Sequence, residues 1–374
     1  MNKFFNKEIS ENQEEIISAL RLARTNSIGP ITFQKLIKKY GKPSNAIKGS
    51  EEILKKKGES LRPLKDIEEE IRKAEKVGAK IITVFDKNYP SLLSEIQDPP
   101  IILTVKGQID KVQNSNVALV GARYASANAV SFTYKLAKDL SDKNQTVVSG
   151  LARGIDTAAH KGSLANKNNE LPTIAVVAGG IDNIYPPENA KLFEEVAERG
   201  IIITENEFGT IPKPEHFPRR NRIISGISQV TCVVEAALKS GSLITARLAL
   251  EQGREVACVP GFPADPRSEG TNLLIKRGAS LVTGANDLIE LLQNYDSREI
   301  KVNNIFSEED AEEFFDETES DVELLSVIGN TPVAVDELVS IYGFSASEIN
   351  SKLLEYELSG EIIRLPGNKV LKAA

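Results

Sequence analysis

Between residues 81 and 259 the chain alternates short β-branched runs with amphipathic stretches, and that rhythm excludes most folds. The runs occupy 81–85, 101–105, 117–120, 147–148, 174–177, 201–204, 231–234 and 256–259, most of them separated by a stretch with helical periodicity. Such alternation predicts an α/β fold: a mainly parallel sheet covered on both faces, with functional loops at the carboxyl ends of its strands.

The unusual residues fall in those loops. After 117–120 come Gly121-Ala122-Arg123, then Ser126 and a helix from about Ala129. Glycine lets a ligand approach the backbone, a helix start offers unpaired amides and Arg123 adds charge, which together predict a phosphate cradle. The pattern is not the Gly-x-Gly-x-x-Gly of dinucleotide enzymes. After 147–148, Ser149-Gly150-Leu151-Ala152-Arg153-Gly154 leads into a helix that carries Asp156 in its first turn and His160 four residues on, on the same face. Two readings of that pair stand. They are an acid/base couple, or a carboxylate that orients loop amides beside a histidine bonded within the structure, and the second is the expectation.

Further along, Ala178-Gly179-Gly180-Ile181-Asp182 and Tyr185-Pro186-Pro187-Glu188-Asn189 form a turn that either covers a ligand or connects elements. The run at 231–234 ends in Glu235, and Ser240-Gly241-Ser242-Leu243-Ile244-Thr245 opens the next helix, an anion site by geometry. Pro260-Gly261 and Glu269-Gly270-Thr271-Asn272 repeat the device ahead of a helix carrying Lys276. Loops of this type gathered on one sheet edge point to a phosphate-rich ligand.

His216-Phe217-Pro218-Arg219-Arg220-Asn221-Arg222, preceded by Lys213, is a poor recipe for a core. Guanidinium forks match phosphate oxygens and Phe217 can stack on a base, so one reading is a wall that holds single-stranded nucleic acid. Ion pairing with nearby acids is the rival reading. Beside the small-residue loops the run becomes one side of a groove, with Arg219, Arg220 and Arg222 for charge, Phe217 for stacking and His216 shaping the wall.

A formal charge of −7 stands against a nucleic-acid partner until its distribution is examined. Residues 307–323 hold ten acids and no base, and the balance becomes +3 when those ten are set aside. Residues 296–320 therefore read as an acidic linker, or alternatively as a nucleic-acid mimic that covers a basic groove.

The 374 residues are too many for one core. Texture divides them into a helical accessory domain at 1–78, the sheet domain at 79–295, the linker, and a compact unit at 321–374. The first keeps helical spacing on either side of Asn26-Ser27-Ile28-Gly29-Pro30, like helix-hairpin-helix and sterile-alpha-motif bundles. The last reads as three helices and a β-hairpin, a winged-helix plan. Its recognition helix, residues 345–357, carries Glu348, Glu355 and Glu357 against Lys352 alone, which favours a protein contact or a dimer-related role over a DNA groove.

Cys232 and Cys258 lie inside apolar runs, so no structural disulfide is expected. Two distant histidines predict no metal site, and no run approaches the roughly 18 apolar residues of a spanning helix, so the chain is expected to be cytoplasmic.

In order and spacing, Val120-Gly121-Ala122-Arg123, the Ser149 to Asp156 loop with Ala159-His160, Tyr185-Pro186 with Asn189, Phe217 to Ile224, Val234-Glu235-Ala236, Ser240 to Ala246, Pro260-Gly261 and Gly270-Thr271-Asn272 resemble the DNA-processing protein A family, also called Smf, over nearly the whole chain. The resemblance implies an extended Rossmann fold that binds single-stranded DNA, a homodimer, and a recombination mediator that loads RecA during natural transformation, with no cofactor and no catalytic residue. The strand-binding residues it implies are Gly121 and Arg123; Ser149, Gly150, Arg153 and Gly154; Lys213, Phe217, Arg219, Arg220, Asn221 and Arg222; Ser240, Gly241, Ser242 and Thr245; and Lys276. Asp156, His160 and Glu235 would orient loops. The sequence departs from the family's usual pattern at Asn128-Ala129, where Tyr-Gly is common, and at Glu207, where proline is. The alternative is a nucleotide phosphoribohydrolase of the lysine-decarboxylase-like group, suggested by Glu235-Ala236 followed by Ser-Gly-Ser-x-x-Thr, which would cleave an N-glycosidic bond with a carboxylate and an arginine.

Overall fold

The computed structural model describes residues 13–112, 115–295, 324–329, 332–342 and 346–373; the expected acidic linker, 296–320, lies outside them. Four helices come first: α1 (Gln13–Ala23), α2 (Pro30–Tyr40), α3 (Pro43–Lys57) and α4 (Leu64–Lys76). Proline opens α2 and α3, where its missing N–H costs nothing, and Gly58 closes α3 in the left-handed conformation. Leu20, Leu22, Phe33, Leu54 and Ile67 bury themselves in a core continuous with that of the sheet, and the Phe33 ring lies 6.1 Å from Phe85. Two arginines tie the bundle to the loop that follows residue 204. Arg24 pairs with Glu70 at 2.7 Å and donates to the Glu205 carbonyl at 2.9 Å, while Arg62 pairs with Glu207 at 2.7 Å.

The sheet strands are β1 (Ala79–Thr83), β2 (Ile102–Gly107), β3 (Asn116–Val120), β4 (Thr146–Ser149), β5 (Thr173–Val176), β6 (Ile201–Thr204), β7 (Val230–Val233), β8 (Glu255–Cys258) and β9 (Ser280–Leu281). They lie in the order β1-β2-β6-β5-β4-β3-β7-β8-β9. Strands β3 to β9 pair in parallel, whereas β2 runs antiparallel to both β1 and β6. The mainly parallel α/β sheet is as expected, with β9 as an added two-residue edge. Strands β3 to β7 are buried along their whole length, which is why their sequences are apolar without alternation.

After the helix α5 (Ser91–Ser94), crossovers are made by α6 (Ala127–Asp142), α7 (Ile155–Ala165), α8 (Ala190–Arg199), α9 (His216–Ile227), α10 (Gly241–Glu251) and α11 (Glu269–Lys276), and α12 (Ala285–Tyr295) packs behind β7 and β8. The chain winds from β3 out to β6 and then returns to place β7 on the other side of β3. The β3/β7 boundary is therefore a topological switch point, and the loops leaving it open a crevice at the carboxyl edge.

The remaining elements, α13 (Leu324–Val327), β10 (Val333–Ala334), α14 (Val335–Tyr342), α15 (Ala346–Leu358), β11 (Ile362–Leu365) and β12 (Lys369–Lys372), form a winged-helix unit with an antiparallel sheet β10-β12-β11. Its core, including Leu324, Ile328, Leu338, Ile349 and Leu353, takes in Ala127 of α6. Among the described residues no helix is long and apolar enough to cross a membrane.

Candidate nucleic-acid interface

The loops after β3, β4 and β5 meet the first turn of α9 in a cleft lined by Arg123, Gly150, Arg153, Tyr185 and Phe217, with Tyr124, Asn183 and Pro212 completing the wall. The Arg123 guanidinium carbon lies 4.8 Å from the centre of the Phe217 ring, and the Tyr185 ring lies 5.7 Å from Phe217 at 58°. A cation held over one ring beside a second ring matches a phosphate next to a flat base. Tyr185 was legible only as part of a turn. Its signal was its position, a ring in a loop at the same strand ends as Arg123.

α9 sorts the arginine run by its own periodicity. Arg219 has 60% of its side chain exposed, and Lys213 is exposed just before the helix. Arg220 and Arg222 are only 7% and 6% exposed and point into the protein. The expectation that both present charge to the groove needs correcting. Arg220 donates to the Gly150 carbonyl at 2.5 Å and to the Val176 carbonyl, opposite Asp156. Burial pulls its pKa down to about 10, with Arg123 repelling it and Asp156 acting against the fall. Arg222 pairs with Glu205 at 2.5 Å and with Asp98 at 3.3 Å, so for this side chain ion pairing describes the structure. Asn221 bridges, accepting from Arg220 and donating to the Gly241 carbonyl.

Asp156 organises the loop after β4. Its carboxylate accepts the Gly150 and Ala152 amides at 3.0 and 3.3 Å. Burial raises its pKa, and Arg220 and these amides oppose the rise. The Gly150 amide therefore faces Asp156, which corrects the expectation that it holds a phosphate. A Cβ at Gly150 would lie 2.2 Å from Arg220 Nη1, and Gly154 adopts φ 68° with Ala122 O in the way of any side chain. Asn189 braces the same loop by donating to the Leu151 carbonyl and to Thr157 Oγ1. The 185–189 turn thus lines the cleft with Tyr185 and connects with Asn189.

His160 is fully buried and bonds Thr173 Oγ1 at 2.7 Å. Glu235 accepts both the amide and the hydroxyl of Ser126, at 2.6 and 2.7 Å, while the Ser126 hydroxyl caps α6. Ser240 caps α10 and bonds Ser242 Oγ at 2.8 Å, and Thr245 is buried. These hydroxyls and Lys276, exposed at the end of α11, do not line the cleft. Gly121 and Ser149 support it from below: Ser149 donates to the Leu119 carbonyl, and a side chain on Gly121 would meet Ile155.

Residues 80–293 match the family model described as DNA recombination-mediator protein A. The chain belongs to that family. Flanking segments match a DprA-like N-terminal HHH domain at 13–73 and a DprA winged helix domain at 315–368. Protein Smf of Escherichia coli is 37% identical over 316 residues, covering 82% of this chain and 81% of its own. The crystal structure of DNA processing protein A from Streptococcus pneumoniae is 30% identical and superposes with a TM-score of 0.63, over 75% of this chain and 98% of that one. A Helicobacter pylori structure described for its single-stranded DNA binding mode is also 30% identical, with a TM-score of 0.52 over 58% of this chain and 97% of that one. Family membership does not favour the phosphoribohydrolase alternative, and the carboxylate that alternative draws on, Glu235, is buried against Ser126.

Proposed function

We propose that the chain binds single-stranded DNA in the Arg123–Phe217–Tyr185 cleft and acts as a recombination mediator, protecting strands and helping to load RecA, as in natural transformation. The observation that carries the reading is the Arg123 guanidinium stacked on Phe217 beside Tyr185, at the carboxyl edge where a doubly wound sheet offers its crevice. Arg153, Lys213 and Arg219 supply further charge around it. The name of the matched family and the subject of the H. pylori structure support the same ligand and role. The role is that of a binding mediator and not of a catalyst, in the cytoplasm and as a homodimer, which sedimentation equilibrium checks.

The test is strand affinity against salt. Log affinity for single-stranded DNA should fall with log salt by about 0.7 per neutralised phosphate, and Arg123→Ala or Lys213→Ala should flatten that slope by about one such step. Phe217→Ala should instead cost about 1 to 3 kcal/mol with the slope kept, because it removes stacking and no charge. Slopes unchanged in both cationic variants would place the strand elsewhere.

A further inference from the structure

Val177, Ala178, Gly179 and Asn183 line the cleft just ahead of Tyr185, and this wall is laced to the segment that leads from β6 into α9. Thr204 Oγ1 accepts the Asn206 amide at 3.0 Å and donates to the Gly179 carbonyl at 2.7 Å. The Asn206 side-chain amide donates to the Ala178 carbonyl at 2.7 Å. Further on, the Gly180 amide donates to the Thr210 carbonyl and the Gly209 amide to Asp182 Oδ1, both at 2.8 Å. The two segments lie too close for a side chain between them: a Cβ on Gly179 would stand 2.8 Å from Pro212, and one on Gly180 would stand 2.6 Å from the Glu207 carbonyl.

The helical bundle grips the same segment. Arg24, whose pairing with Glu70 is buried, donates to the Glu205 carbonyl at 2.9 Å, and Arg62 pairs with Glu207 at 2.7 Å. These contacts fall on the two residues that flank Asn206. Asn206 itself borders a crevice that it shares with the 25–30 turn of the bundle, so it links the bundle to the Ala178 carbonyl. Apolar packing follows the same route, since Ala74 of α4 and Ile181 of the cleft loop belong to one buried cluster against which Phe208 packs. A loop that is free before a ligand arrives loses conformational entropy when the ligand fixes it, whereas a wall already braced loses little.

We propose that Asn206 is a positioning residue for strand binding, held by the helical bundle through Glu205 and Glu207 and itself holding the cleft wall at Ala178, so that the bundle raises strand affinity without touching the strand. The proposal rests on the cleft being the strand site. Linkage makes the effect reciprocal: the affinity that the bundle's grip adds to the strand is returned by the strand to that grip.

The experiment titrates the full chain with a fluorescent oligothymidylate over a range of salt. Asn206→Ala removes a donor and no charge, so affinity should fall by about threefold to tenfold while the salt slope stays that of the wild type. In a Tyr185→Ala background, where the wall is already deficient, the same change should cost less than about twofold, because Asn206 acts through the wall. Arg62→Ala and Glu207→Ala should each weaken binding by about twofold, as loss of an exposed pair allows. Their charge changes are opposite, so an electrostatic influence on the strand alone would weaken binding in one and tighten it in the other. Wild-type affinity in Asn206→Ala, additive losses with Tyr185→Ala, or opposite effects of the Arg62 and Glu207 changes would each overturn the positioning role while the strand site stands. A wild-type chain that does not bind the oligonucleotide would remove the strand-site reading and the positioning role with it.

Discussion

Replacing Arg220 with alanine is expected to destabilise the sheet domain by about 3 to 5 kcal/mol, whereas the same change at Arg219 next to it should stay within about 0.5 kcal/mol. Both residues belong to one run of charge in the sequence, and the difference lies in what surrounds each. Arg220 spans from α9 to the Gly150 and Val176 carbonyls opposite the buried Asp156. Its removal leaves two carbonyls and a carboxylate without their cation in a largely buried place. Arg219, mostly exposed and 3.7 Å from Glu205, has little to lose. The chain has no tryptophan, so urea unfolding is followed by circular dichroism. Equal midpoints for the two variants would mean that Arg220 does not hold the loop. The loss should carry into function as well, because the loop that Arg220 and Asp156 fix supplies Gly150 and Arg153 to the cleft.

The sheet was readable because its strands are buried on both faces and so appear as unbroken apolar runs. Direction was not readable. The runs at 81–85 and 101–105 look like the others, yet β1 and β2 are joined through a segment whose one helix, α5, has four residues, and they pair antiparallel. β9 has two residues, too few for any periodicity. The strand-end loops were recognisable by their glycines and arginines, and Arg123, Gly150, Arg153 and Phe217 do meet. What composition hid was orientation within 216–222. Ile223, Ile224 and Ile227 form the buried stripe of α9, and a step back of three residues from Ile223, four from Ile224 or seven from Ile227 lands on Arg220. Helical phase, more than charge, separates the arginine that holds the loop from the one that faces solvent. Glu207, which departs from the family's usual proline, finds its use in the Arg62 ion pair to the helical bundle, a contact that no local pattern could announce.

Stability should fall with acid because of His160, and substituting that residue should remove the dependence. Thr173 donates its single hydroxyl proton to the Val147 carbonyl at 2.8 Å, so it must accept from His160, which places the imidazole proton on Nδ1. Nε2 is then a bare acceptor, and it has no hydrogen-bond partner in its buried setting. Protonating it would put a cation in a fully buried place near Arg220. Burial and that arginine hold the pKa down at about 3. The unfolded chain binds the proton near pH 6.5, so between that pH and about 3 the unfolded state carries more protons and stability drops as pH falls, by about 1.4 kcal/mol per unit. By pH 5 the histidine should have cost the native state about 2 kcal/mol relative to neutral pH. Asp156 and Glu235, whose burial raises their pKa values, titrate in the opposite sense but are present in both proteins being compared. His160→Gln should therefore be less stable than wild type at pH 7.5, through lost packing, and the gap should close by about 2 kcal/mol at pH 5. A gap that stays constant over that interval would show that His160 is not held neutral.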